Sequence, residues 1–120
     1  MPLYHIKTNV PIFHSLTGSR ADSHLHSLSI AVYLSFSGKG TLRFDRVQQM
    51  LNGCLEPYQN QFLNELPEFA GVATIEQAGE VFYRRLRDTA AEFGLTLERF
   101  EIEETPLRTY IIRNAMPGEE

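Results

Sequence analysis

"HLHSLSIAVYLSF", residues His24 to Phe36, alternates along its whole length. His24, His26, Leu28, Ile30, Val32, Leu34 and Phe36 share one parity, while Ser27, Ser29, Tyr33 and Ser35 share the other, with Ala31 among them. Side chains two residues apart on an extended chain project the same way. The run therefore predicts one long strand with a core face and a solvated face, the pattern of an antiparallel sheet. "SGKG", Ser37 to Gly40, ends it as a turn.

Working outward, Tyr4, Ile6, Thr8, Val10, Ile12 and His14 repeat the alternation and predict a first strand. Pro11 assigns it to an edge or a bulge. Val47, Met50, Leu51 and Cys54 fall at helical spacing from about Asp45, with Gly53 and Pro57 limiting that helix. "QNQFLNELPEF" reads as a loop with a turn of helix. Thr74 and Gln77 then make a capping box. Ile75, Ala78, Val81, Phe82, Leu86, Ala90 and Phe93 form one apolar stripe, and Gly94 stands where a left-handed residue closes a helix. Strands over Leu95 to Glu104 and Leu107 to Arg113 follow, with Pro106 at the junction, and "AMPGEE" reads as a frayed tail. The order β-β-α-α-β-β predicts a single α+β domain over residues 1–120: a four-stranded antiparallel sheet with two helices on one face. Its two open edges predict oligomerisation through the sheet.

Hydrophobic residues make up 42% and charged residues 22% of the 120-residue chain, so it can bury a core without covalent staples. A net charge of −4 argues against a general nucleic-acid binder, which needs a basic face. The single cysteine, Cys54, excludes an intrachain disulfide and fits a reducing compartment; its apolar neighbours suggest a packed thiol. No apolar run approaches a membrane span, and no signal-like start is seen, so the expected location is cytoplasmic.

Three of the four histidines lie between Phe13 and Ser27. If the first two strands form a hairpin, His14 ends one and His24 begins the other, and His24 and His26 point the same way. All three continue the apolar faces of their strands. Three imidazoles converging at one rim fit a zinc site with an open fourth position. The plainer alternative is three polar residues at a hairpin mouth. His5 has the opposite parity to His14 and is read as a sheet-face or edge residue and not a ligand.

The chain resembles the 6-pyruvoyl-tetrahydropterin synthase family, including the 6-carboxy-tetrahydropterin synthases, from about Tyr4 to Ile112. "VPIFH" matches a first strand ending in a zinc histidine. "HLHSLSIAVYL" matches an H-G-H segment and strand, with Leu25 where glycine is usual. "QFLNELPEF" matches an "LN" loop, "ATIEQAGEVFY" a P-T-x-E helix start, and "EIEETPLRTY" a strand ending in Glu-Thr. The resemblance implies a tunnelling fold, in which trimers close their sheets into a barrel and stack as a hexamer with active sites between subunits. It implies zinc on His14, His24 and His26, orienting the side chain of 7,8-dihydroneopterin triphosphate. It also implies a pterin anchor at Glu104, with Thr105, Thr74 and Glu76 as further ligand contacts. Glu76 equally suits a first-turn acid favourable to the helix dipole.

The departures from the pattern fall on proton transfer. The family's cysteine position holds Arg20, and its Asp-His pair is Gln59 and Asn60 here. An amide takes no proton at neutral pH, and arginine stays charged. Arg20 suits a triphosphate instead. Asp22 is the nearest carboxylate to the lost base and equally suits a turn. Two functions follow: a zinc-dependent lyase or hydrolase on a reduced pterin with altered acid-base groups, or a non-catalytic paralogue that keeps the metal and pterin pocket.

Overall fold

β1 (Tyr4–His14) and β2 (His24–Phe36) pair antiparallel from Tyr4 opposite Leu34 to His14 opposite His24. Both strands carry the bounds that their alternation predicts. β2 pairs with β3 (Leu95–Thr105), and β3 with β4 (Arg108–Arg113), in the spatial order β1-β2-β3-β4. The computed structural model describes residues 2–114, so the expected frayed tail lies outside the described residues. α1 (Phe44–Leu55) packs against β1, and α2 (Ile75–Glu92) against β3 and β4, both on the apolar face of the sheet.

The core forms where the strand parities and helix stripes meet. Ile12, Leu28, Ile30, Leu34, Phe100 and Ile102 come from the sheet, and Leu51, Leu55, Phe82 and Leu86 from the helices. All are essentially removed from water, each contributing on the order of 1.5–3 kcal/mol of transfer free energy. The other face carries Lys7, Asn9, Ser29, Glu101 and Glu103 around a shallow concavity.

Three details differ from the sequence reading. Gly53 does not limit α1; it lies inside the helix on an open side, with nothing near the position of a Cβ. The helix stops because Pro57 has no N–H to donate to the Gly53 carbonyl, and a 3₁₀ turn at Glu56–Tyr58 takes over. The segment after it is more ordered than a loop. Two further 3₁₀ turns, Leu63–Glu65 and Pro67–Phe69, bury Leu63 and Phe69, and Phe62 is buried beside them. The N–H of Asn60 donates to the Pro11 carbonyl at 2.6 Å and that of Phe13 to the Gln61 carbonyl at 2.9 Å. This segment thus covers the outer edge of β1 near its end, where Pro11 was expected. Finally, β3 runs one residue further than expected, through Thr105, and the turn falls on Pro106 and Leu107.

α2 begins as its capping signal predicts, with Thr74 Oγ1 accepting from the Gln77 N–H at 3.1 Å. Gly94 follows with φ +73°, where a side chain would be strained. Gly79 has a packing role: a Cβ there would lie 2.8 Å from Tyr110 Cδ2. Its absence lets β4 lie against α2, and Tyr110 donates its hydroxyl proton to Glu80 at 2.8 Å.

Phe82 is fully buried against Tyr58 and Phe69, with ring centroids 4.8 and 6.2 Å away. Phe82→Ala is expected to lower stability by about 3–5 kcal/mol, read as a fall in urea midpoint at unchanged slope.

Candidate metal and ligand site

Antiparallel pairing brings the end of β1, the start of β2 and the end of β3 to one end of the sheet. His14 faces His24 across the hairpin, and Ile12 faces His26. The imidazole centroids lie 4.4–5.2 Å apart. Glu104 joins them from β3. Glu103 pairs with Thr109 and Thr105 with Arg108, so Glu104 is the extra residue of a β-bulge. Its side chain keeps the parity of the buried Phe100 and Ile102, which places the carboxylate on the same face as the three imidazoles. One donor atom from each of His14, His24, His26 and Glu104 lies within 4.8 Å of every other.

The protonation of this group follows from its partners. His14 is buried, and its Nδ1 lies 2.8 Å from the Ala73 carbonyl oxygen, which can only accept. Neutral His14 therefore carries its proton on Nδ1 and presents a bare Nε2. That atom is 3.4 Å from Glu104 Oε1. His24 Nδ1 lies 3.3 Å from the Asp22 carbonyl, which likewise leaves Nε2 bare. His26 Nε2 is 2.7 Å from Glu104 Oε1 but makes no hydrogen bond, although it is shielded from water. The carboxylate oxygen sits off the line along which an Nε2–H would point. Burial pushes the pKa of His26 below the ordinary histidine range, outweighing the opposite pull of Glu104, and His14 and His24 lower it further.

Lone pairs of neutral imidazoles facing a carboxylate repel unless a cation lies among them. Nitrogen donors with one carboxylate oxygen suit zinc. The Ala73 and Asp22 carbonyls orient two of the rings, as outer partners do around metal-binding histidines.

A groove of about 660 Å³ opens beside this cluster. Thr74, Glu76 and Thr105 line it with His14 and Glu104, so four of the five ligand contacts expected from the sequence meet there. Arg20, the fifth, does not line it. Its guanidinium forms a two-pronged bond to Glu65, with Nε 2.7 Å from Oε1, and lies over the Phe62 ring. The pairing raises the pKa of Arg20 and lowers that of Glu65, and both groups are exposed. Gln59 and Asn60 are also exposed and lie outside the groove, Asn60 in a left-handed turn against Pro11. The Asp22 carboxylate accepts from the Thr17 hydroxyl at 2.8 Å. Cys54 is packed near Thr89, and His5 stacks on Tyr33 at 4.2 Å.

Asn64 is the residue whose role the sequence did not reveal. It is 7% exposed and fully used. Its Oδ1 accepts from the Ser15 N–H at 3.0 Å, and its Nδ2 donates to the carbonyls of Ser15 and Gly71 at 2.9 and 3.1 Å. It thus locks the backbone beside His14 to the segment that leads into Ala73. A lone asparagine within an apolar run was the available signal, because buried polar groups need partners.

Residues 5–115 match the protein family described as 6-pyruvoyl tetrahydropterin synthase. The chain belongs to this family. Its fold is similar to that of the Caenorhabditis elegans 6-pyruvoyl tetrahydropterin synthase, with a TM-score of 0.70 at 15% identity over 96% of this chain and 98% of that one. It is also similar to an uncharacterized protein from Wolinella succinogenes, with a TM-score of 0.64 at 14% identity over 96% of this chain and 100% of that one. A Plasmodium vivax 6-pyruvoyltetrahydropterin synthase, solved with a catalytic glutamate replaced by alanine, gives 0.65 at 11% identity over 97% of this chain and 100% of that one. No curated protein matches the sequence.

Asn64→Ala is expected to lower stability by at least about 2 kcal/mol, since each buried group left unpaired costs about 1–3 kcal/mol. Chemical denaturation measures the loss; a change below half that size would mean water replaces the amide without cost.

Proposed function

We propose that this chain holds zinc through His14, His24 and His26 and binds a reduced pterin of the 7,8-dihydroneopterin triphosphate type in the adjoining groove, with the standard synthase reaction slowed or lost. The observation that carries the proposal is the convergence of three imidazoles and one carboxylate at the end of a groove lined by Thr74, Glu76 and Thr105. Zinc on three imidazoles supplies a Lewis acid for a ligand oxygen. The carboxylate of Glu104 suits paired hydrogen bonds from a pterin ring N–H and its amino group.

The chain's own residues give little means to move a proton. Arg20, Gln59 and Asn60 stand where the family resemblance puts Cys, Asp and His, and none accepts a proton at neutral pH. Asp22 is engaged by Thr17. This favours a second reading, a non-catalytic paralogue that binds metal and pterin. In either case a trimer-based assembly, a hexamer by family resemblance, and a cytoplasmic location complete the proposal. The exposed apolar side chains Leu16, Leu25 and Leu107 near the site support burial against another subunit.

Protein purified without chelators or a histidine tag is expected to contain one zinc per subunit by elemental analysis, and His24→Ala to lose most of it. Sub-stoichiometric metal unchanged by that substitution would remove the metal from the proposal. Turnover of dihydroneopterin triphosphate is expected to fall below that of an intact family member by a factor of about 10²–10⁴, the usual cost of a missing general base. Pterin binding, followed by fluorescence, is expected to persist and to weaken in Glu104→Ala; full turnover would show that another group serves as base.

A further inference from the structure

We infer that Glu104 is the fourth ligand of the resting metal site, so that the coordination shell is closed until a bound ligand draws the carboxylate away. The inference rests on the reading of His14, His24 and His26 as metal ligands and adds a second role for Glu104.

Three independent features point to it. The first is backbone geometry. Glu104 is the bulged residue of β3, with Glu103 and Thr105 both paired to β4 on either side of it. Its parity with the buried Phe100 and Ile102 puts its side chain on the face of the histidines, whose strands meet it at the same end of the sheet.

The second is the pair of contacts that Glu104 makes. Its Oε1 lies 3.4 Å from His14 Nε2 and 2.7 Å from His26 Nε2. The Ala73 carbonyl holds the neutral His14 proton on Nδ1, so His14 Nε2 offers a lone pair to an anion. At His26 the separation is short, but the direction is wrong for a hydrogen bond. Two ligands of one ion both point at the ion and lie off each other's axes. A hydrogen-bonded pair would instead be nearly collinear. The 3.4 Å contact is the spacing of two ligands on one tetrahedral zinc, while the 2.7 Å contact must lengthen to admit the ion; an imidazole–carboxylate hydrogen bond accounts for neither in the neutral state.

The third is the number of donors. Three nitrogens and one oxygen complete the four-coordinate shell typical of a structural zinc site, whereas a catalytic site leaves one position open. One carboxylate oxygen cannot hold the metal and a pterin N–H with full strength at once. Pterin binding in the groove would then free the metal position by taking Glu104 as its partner. The open position belongs to the ligand-bound protein and is absent at rest.

Cobalt-substituted protein tests this through its visible absorption bands, with azide as the probe for an open position and no turnover required. The wild-type bands are expected to change only at high azide. Glu104→Gln is expected to bind azide more tightly by a factor of about ten or more. Glu104→Asp, which keeps the charge on a shorter arm, is expected to fall between them, and circular dichroism checks the fold of each. Wild-type protein that takes azide as readily as Glu104→Gln, or as Glu104→Asp should the glutamine variant not fold, overturns the inference and leaves the three-histidine site standing. Cobalt bands that His24→Ala leaves unchanged, or wild-type protein that takes up no cobalt, overturn the metal reading and this inference with it.

Discussion

The register of β1 against β2 is the constraint on which the rest depends. With Ile12 opposite His26 and His14 opposite His24, the core face of the hairpin runs without interruption into the imidazole cluster. A slip of one residue would move every side chain of a strand to the other face. Ile6, Val10 and Ile12 would then meet water, and His14 would leave the histidines. The hydrophobic effect that specifies the pairing therefore also specifies the site, although no histidine contributes much to it. Asn64 continues this control beyond the strand by binding both backbone groups of Ser15.

The site is built from orientation more than from charge. Backbone carbonyls of Ala73 and Asp22 take one nitrogen of each of two rings and leave the other free. Burial lowers the pKa of His26. Such a cluster presents its free nitrogens and one carboxylate oxygen to a metal cation. The neighbouring loop contrasts with it. Arg20 is held by Glu65 on the surface, an exposed pair of the kind that contributes little to stability. The guanidinium is held at Glu65 and Phe62, and Arg20 does not line the groove.

The sheet has a dry face and a wet one. Helices cover the first. On the second, His5, Tyr33 and Arg99 stack across three neighbouring strands, and Glu101 and Glu103 lie beside them. β4 has no neighbour on its outer side among the described residues, whereas β1 is partly covered by the segment around Gln61. Closure of such sheets into a barrel of several subunits would satisfy the β4 edge. Among the described residues, no helix is long and apolar enough to cross a membrane.

Local pattern carried most of the fold. Period-two alternation set both long strands to the residue, and the Thr74–Gln77 signal set the start of α2, because these features depend only on neighbours along the chain. The three histidines were legible for the same reason: their parity continues that of the strands. What the sequence could not reveal lies between elements. Gly53 read as a helix limit because its open surroundings are a tertiary fact. Asn64 read as part of a motif because its three partners come from segments that meet only in the folded chain. Glu104 read as a ligand contact, but its approach to His26 depends on the register of β2 against β3. Arg20 suited an anion by chemistry alone, and the packing of its loop gave it Glu65 instead. Sequence by itself determined the elements, the core faces and the donors. Tertiary structure decided which lone pairs converge, because convergence is a property of register and packing and not of neighbouring residues.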